Sequence, residues 1–239
     1  MNNASSKKYP KQLPKFTTEQ IRIRNEFIEY WHEVLPSKYS IVEKFNHGFP
    51  VQEKNISTKT KTLELGAGLG EHINYENLHD QEYFALELRS NMAKKLSAIH
   101  KNVNIIIGDA QNLPFKDNCF DRVLAIHVLE HLPNLPSAIE ETNRVLKKDK
   151  KSQFCAVIPI EGSLLYSFAR NISARRIFEQ KFNQSYDWLI KSEHINLPNE
   201  IFSELFQFFE MKKIKYFPFN IPFKTINICI GITMLPKYK

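Results

Sequence analysis

The residues best suited to chemistry in this chain are a cluster of glycines and three acids. Of seven glycines in 239 residues, Gly66, Gly68 and Gly70 lie within five positions, behind Thr62-Leu63-Glu64-Leu65. Glycine tolerates positive φ and lets a ligand approach the backbone closely. At the carboxyl end of a parallel strand, such a turn opens the crevice where nucleotides bind. The spacing G-x-G-x-G, with Glu71 at the third small position of the dinucleotide fingerprint, disfavours a pyrophosphate. Glu64 adds a carboxylate that suits a cationic ligand better than a phosphate. Glu87 lies 19 residues after Gly68, where a carboxylate can accept both hydroxyls of a ribose. Asp109, in Gly108-Asp109-Ala110, can accept from an adenine amino group, with Ala110 leaving room for the ring. Together these groups suit an adenosyl ligand that carries no phosphate, as S-adenosylmethionine does.

Positioning these groups takes a regular alternation of elements. Strands are expected at Thr62–Leu65, Tyr83–Leu88, Val103–Ile107, Phe120–Val128 and Phe154–Ile158. Between them the glycines start a helix, Ser90–Ile99 forms one with Ser90 as its cap, and Leu135–Leu146 forms another. Strands alternating with helices imply parallel pairing through right-handed crossovers. Before this core, Thr17 or Thr18 caps a helix that ends at Pro36, with Ile21, Phe27, Ile28, Trp31 and Leu35 near one face. After it, residues 160–197 lose the strand rhythm and read as a helical, aromatic and basic cap. Pro198–Phe209 is then a helix, and Met211–Phe217 with Ile226–Met234 forms an antiparallel hairpin. The domain reading is a flexible tail over 1–15 and one domain over 16–239. That domain divides into a cofactor-binding core (60–160), a cap or substrate lid (160–197) and a C-terminal helix and hairpin (198–239).

Leu63-Glu64-Leu65-Gly66-Ala67-Gly68-Leu69-Gly70 resembles the first motif of the class I S-adenosylmethionine-dependent methyltransferases. Gly108-Asp109-Ala110, Leu113-Pro114-Phe115, Phe120-Asp121 and Val128-Leu129-Glu130-His131-Leu132 resemble the type 11, UbiE-like branch. The likeness covers roughly residues 60–160. It implies an α/β fold: a Rossmann-like seven-stranded sheet with an antiparallel last strand, helices on both faces, and a small helical cap inserted after strand five. It further implies that Glu64 and the Gly66–Gly70 turn, Ala67 included, face the methionine end of the cofactor. Glu87 then faces the ribose, and Asp109 with Ala110 the adenine. Leu88, Gln111, Ile126 and His127 complete the expected cofactor-binding set. Arg89 departs from the serine common in relatives.

Methyl transfer needs the acceptor positioned and water excluded, and a neutral hydroxyl acceptor also benefits from a general base. His127 and His131, after strand four, and His194, after the cap, are the candidates for that base. Their structural alternatives are that Glu130 and His131 cap the next helix, that His127 lines the cofactor pocket and that His194 holds the cap down. No Asn/Asp-Pro-Pro-aromatic motif follows strand four, where the sequence reads Ile126-His127-Val128-Leu129. No Pro-Cys pair exists either, which disfavours nucleic-acid acceptors. A small-molecule, glycan or lipid-linked acceptor is expected, with O-, N- and C-methylation all open. A catalytically silent cofactor-binding partner subunit is the alternative, and a nicotinamide oxidoreductase is disfavoured by the glycine spacing. The cap is amphipathic, its apolar face closing on the sheet. Arg170, Arg175, Arg176 and Lys181 within it could grip a phosphate-bearing or amphiphilic substrate, and peripheral membrane contact is compatible with that.

Composition sets the outer bounds. Apolar residues make up 42% of the chain and spread along it, as a globular core requires. No run reaches the ~18 apolar residues of a membrane span. The lysine-rich start has no apolar signal region, so a cytoplasmic location is expected. Cys119, Cys155 and Cys229 are far apart and odd in number, so neither disulfides nor a metal site is expected. The net charge of +7 is dispersed lysine, read as a solvated surface.

Overall fold

The computed structural model describes residues 8–52 and 60–237, without the side chains of 35–38. Seven strands form one sheet: β1 (Thr60–Leu65), β2 (Gln81–Glu87), β3 (Asn104–Ile107), β4 (Arg122–Ile126), β5 (Gln153–Pro159), β6 (Phe209–Phe217) and β7 (Cys229–Pro236). Their order is β3-β2-β1-β4-β5-β7-β6, and β7 runs antiparallel to both of its neighbours. The chain reverses direction of travel across the sheet between β1 and β4, which places the crevice at their carboxyl ends.

Alternation along the strands explains the layers. Val123 and Ala125 of β4, with Phe154, Ala156 and Ile158 of β5, face one side. There they meet α4 (Leu135–Val145) and α8 (Pro198–Phe208). Leu135, Ala138, Ile139, Thr142 and Val145 form one buried stripe on α4, spaced three and four apart. Leu124 and Cys155 face the other side, with Tyr83, Ala85 and Leu96. That face is covered by α3 (Ser90–Ile99) and α2 (Ser40–Gln52). Phe154 is fully buried, and truncating it to alanine would cost about 3–5 kcal/mol.

Several local expectations are corrected. Helix α1 (Thr18–Lys38) continues past Pro36, because a proline in the last turn removes only one ladder bond. Its start is as read: Thr17 Oγ1 accepts from Gln20 N–H, and the Gln20 side chain accepts from Thr17 N–H. Helix α2 has no counterpart in the expectations, since Gly48 and Pro50 within it argue against helix. Packing decides there: the Phe49 ring lies on Gly231 of β7, where a β-carbon would stand 2.6 Å from Phe49 Cγ. Between β1 and β2 the expected helix is replaced by two single 3-10 turns, His72–Tyr75 and Leu78–Asp80. Ser90 is the first residue of α3 and not its cap; the cap position is Arg89, with no side-chain bond.

The expected tail is also corrected over its described part. Lys11 Nζ donates to Ile195 O and to Glu200 Oε2, both at 2.7 Å, and Lys11 N–H donates to Pro133 O. Tyr9 packs against the main core. Residues 1–7 of that tail lie outside the described residues. The cap consists of α5 (Leu164–Arg170), a π-helical turn (Asn171–Arg175), α6 (Arg176–Phe182) and α7 (Asp187–Glu193). Its apolar face does not close on the sheet. Ala174, Phe178, Tyr186, Leu189 and Ile190 pack with Ile23 and Phe27 of α1 into a separate small core.

Candidate active site

The glycine turn is held by its neighbours on every side. Gly66 adopts φ +62°, and a β-carbon there would stand 2.7 Å from Val128. Gly68 adopts φ +58°; its N–H donates to Glu87 Oε2 at 3.0 Å. Glu87 Oε1 accepts from Arg89 N–H at 2.9 Å. The carboxylate at the end of β2 is therefore pinned to the glycine turn, and each oxygen keeps a lone pair for a further donor. This fits a ribose diol, and it is the feature of the site that best matches an adenosyl cofactor. Leu88, next in sequence, leaves 64% of its surface exposed, an apolar wall beside that carboxylate.

On the next loop, Asp109 Oδ1 accepts from both the backbone and the side-chain nitrogen of Gln111, each at 2.9 Å. Gln111 Oε1 in turn accepts from Asn134 N–H at the start of α4. Gln111 thus braces the loop that presents Asp109, while Ala110 is buried beneath. Ile126 ends β4 half-buried.

Glu64 lies on the α2–α3 face of β1, nearly fully buried, and accepts from Tyr83 Oη at 2.8 Å. Burial pushes its carboxyl up to about 8, against the hydrogen bond from Tyr83, which lowers it; Glu71 and Glu76 raise it further. Burial thus favours the neutral form of this carboxyl.

One residue over the glycine turn was not legible from spacing. His32 of α1 lies across Gly68: a β-carbon there would meet its Cε1 at 3.1 Å. His32 Nδ1 pairs with Glu71 Oε1 at 2.9 Å. Nothing in the α1 pattern singles out His32, which sits among solvated positions of an amphipathic helix.

The three candidate bases gather at the carboxyl end of β4. His127, at φ +52°, donates through Nδ1 to Glu130 Oε1 at 3.2 Å. Burial disfavours its charge, but the Cys229 sulfur and the Glu130 carboxylate outweigh burial and hold its pKa well above the ordinary value. A proton-holding His127 is poorly suited to act as a base. His131 Nδ1 donates to Glu193 O at 2.6 Å, and burial lowers its pKa, keeping the ring neutral. His194 Nδ1 pairs with Glu161 Oε2 at 2.9 Å, and Tyr166 Oη stands 3.5 Å from the same nitrogen. His131 and His194 stack edge to face with ring centres 5.1 Å apart.

Glu130 and His131 do not cap α4, whose cap residue is Asn134 without a side-chain bond. They tie the β4 loop to the end of the cap, and Glu130 O accepts from Ile195 N–H and Asn196 N–H. Glu161, Tyr166 and Arg170 join this cluster without having been singled out in the sequence; Arg170 grips the second oxygen of Glu161. The expected phosphate grip of the cap is corrected in part. Arg170 is spent on Glu161, Arg175 on Glu179 and Asp187, and Lys181 on Glu26.

Comparisons with known proteins agree with this fold. Residues 63–152 match the family model described as a methyltransferase domain, type 11. A demethylmenaquinone methyltransferase of Staphylococcus haemolyticus is 28% identical over 161 residues, 64% of each chain. An uncharacterized protein of Methanocaldococcus jannaschii is 30% identical over 146 residues, 59% of this chain and 62% of that one. The match thus spans less than two thirds of these relatives' own length. Among solved structures, a Pyrococcus horikoshii protein superposes with TM-score 0.65 at 18% identity, covering 87% of this chain and 99% of that one. An S-adenosylmethionine-dependent methyltransferase of Aquifex aeolicus gives TM-score 0.60 at 14% identity, covering 92% and 98%. The matched segment runs from β1 to the loop before β5, and the seven-stranded sheet around it has the fold of these solved structures.

Proposed function

We propose that this chain is an S-adenosylmethionine-dependent methyltransferase acting on a small amphiphilic, lipid-linked or glycan acceptor. The observation that carries the cofactor reading is the Glu87 carboxylate bonded to Gly68 N–H at the switch point of the sheet. In this reading Glu87 takes the ribose hydroxyls, Leu88 and Ala110 flank the adenine, and Asp109, braced by Gln111, accepts from its amino group. Ala67, Gly66, Gly68 and Gly70 shape the turn, and Glu64, Ile126 and His127 close the methionine end. When bound, the cofactor supplies a methyl group on a sulfonium centre, so the protein's work is positioning and exclusion of water. Among the histidines, His131 is the best base: its Nδ1 proton is committed to Glu193 O, which leaves Nε2 with its lone pair.

An amphiphilic acceptor is favoured by the outer side of α5. Leu164, Leu165 and Phe168 line a recess of about 390 Å³ with Phe219, Thr225 and Ile226 of the β6–β7 connection. Leu164, Phe168, Phe219 and Phe223 leave 77, 62, 56 and 64% of their surfaces exposed. Clustered exposure on this scale marks a docking surface for apolar groups. The opposite side of α5 carries Tyr166 and Arg170 toward His194 and Glu161, so one short helix joins the recess to the polar cluster. Relatives named demethylmenaquinone methyltransferases support the same class of acceptor. Peripheral contact with a membrane surface is part of this reading. Among the described residues no helix is long and apolar enough to cross a membrane. A cytoplasmic setting completes the proposal.

Calorimetric titration with S-adenosylmethionine, its demethylated product and NAD tests the cofactor. Micromolar or tighter affinity for the first two and none for NAD is expected. Binding of NAD alone, or of none of the three, overturns the reading.

A further inference from the structure

Glu130, His131 and His194 are more than a set of alternative bases. Their ligand atoms, one carboxylate oxygen and one nitrogen from each ring, lie within 4.8 Å of one another. His131 Nε2 stands 3.8 Å from Glu130 Oε1. Both rings are oriented alike: His131 Nδ1 is committed to the Glu193 carbonyl and His194 Nδ1 to the Glu161 carboxylate. Each Nε2 therefore carries its lone pair. Metal-binding histidines are held in this way, with the far nitrogen donating to a carbonyl or carboxylate that fixes tautomer and direction. Glu161 is itself fixed by Arg170, and Glu130 by His127.

A second observation points to a ligand. Glu130 is 1% exposed, and its Oε2 is buried with no hydrogen-bond partner among the described residues. An ionised carboxylate oxygen left in that state is costly unless a cation completes it.

We propose that Glu130, His131 and His194 hold a divalent first-row transition ion, Zn²⁺ or a congener, with open positions for an oxygen of the methyl acceptor. Two imidazoles and one carboxylate suit such ions, and three protein ligands leave coordination free for a substrate. The metal half stands on the cluster alone. The acceptor half rests on the methyl-transfer reading above, and narrows it to a hydroxyl acceptor. An ion here takes the His131 Nε2 lone pair and replaces that ring as the activating group: it polarises the acceptor O–H, whose proton passes to water at the partly exposed side of His131. The oxygen keeps the electron pair and forms the bond to the methyl carbon, and the carbon–sulfur pair leaves with sulfur. Cysteine spacing gives no hint of this site, because it contains no cysteine.

Titration of the chelator-stripped full chain with Co²⁺ tests the site through the ion's visible d–d absorption. One Co²⁺ per chain is expected, displaced by Zn²⁺. His194→Gln and Glu130→Gln should each weaken binding by about tenfold or more, while cofactor affinity, measured on the same samples, shows that the variants are folded. No d–d band from the folded wild-type chain, or unchanged affinity in both variants, overturns the metal site and leaves the cofactor reading standing. Co²⁺ binding without any affinity for S-adenosylmethionine keeps the site and removes only its assigned acceptor.

Discussion

The two ends of β4 carry buried polar clusters of different design. At its start, Arg122 is 2% exposed and donates to Glu76 at 2.7 Å and to Pro50 O at 2.8 Å. Glu76 also takes His72 Nε2 at 3.0 Å and Gln81 Nε2 at 2.8 Å. Anion meets cation there, and the pair locks α2 and the β1–β2 turns to the sheet. Burial disfavours the Glu76 anion, yet His72 and Arg122 overcome it and hold its pKa well below the ordinary range. Beyond the other end, Glu130 is equally buried and its pKa is held down at about 2: burial opposes, and the hydrogen bond from His127 leads the effects that lower it. Two imidazoles there carry unspent lone pairs. Both clusters leave buried polar atoms without a partner among the described residues, Arg122 Nε and His72 Nδ1 in the first and Glu130 Oε2 in the second; they differ in that the first pairs its carboxylate with a guanidinium and the second faces its carboxylate with imidazoles.

The comparison breaks if the clusters respond alike to loss of charge. Glu76→Gln should cost about 3–5 kcal/mol in urea unfolding, the scale for stranding a buried partner such as Arg122. Glu130→Gln should cost less than half of that. Equal losses would make the second cluster structural too.

A pH experiment sharpens the contrast at Glu64, which lies beside the first cluster. Its folded pKa of about 8 is above the ordinary 4.5, so folding favours the protonated form. The sign follows: stability from this group is full below about pH 4.5 and is lost as pH rises through 8. Glu64→Gln should remove a loss on the order of a few kcal/mol between pH 5 and 9. Parallel stability–pH curves for variant and wild type would refute it.

Smaller effects follow on the cofactor side. Glu87→Ala should weaken S-adenosylmethionine binding by about 1.5–3 kcal/mol, the scale of hydrogen bonds to a charged group; calorimetry with unchanged affinity would remove its ribose role. Smallest is Lys11→Ala, at the part-buried ion pair with Glu200. A loss of about 1 kcal/mol or less is expected, with faster proteolysis near residue 11.

The sheet was legible because strand alternation and glycine spacing are local signals. All seven strands lie where the sequence places them, with ends shifted by a few residues; β4, for example, is shorter than the apolar run Phe120–Val128. That Glu87 and Asp109 lie at neighbouring strand ends was legible because strand ends in this topology converge. What escaped depends on contacts between distant segments. Helix α2 exists because Phe49 fits against Gly231, 182 residues on. The second cluster draws Glu130 and His131 from one loop and His194 from another, oriented by Glu161 and Glu193. No spacing rule reports that these two rings meet.

Helix α1 is a lever with its two arms on different loads. One arm sets His32 over Gly68; the other buries Ile23 and Phe27 in the cap's aromatic core. Phe27 and Phe178 meet edge to face at 5.1 Å, and Arg24 is salt-bridged to Glu193, whose carbonyl holds His131. Lifting α1 from the glycine turn therefore strains the cap and tugs at the histidine cluster. The glycine turn and the histidine cluster are thus joined through one helix.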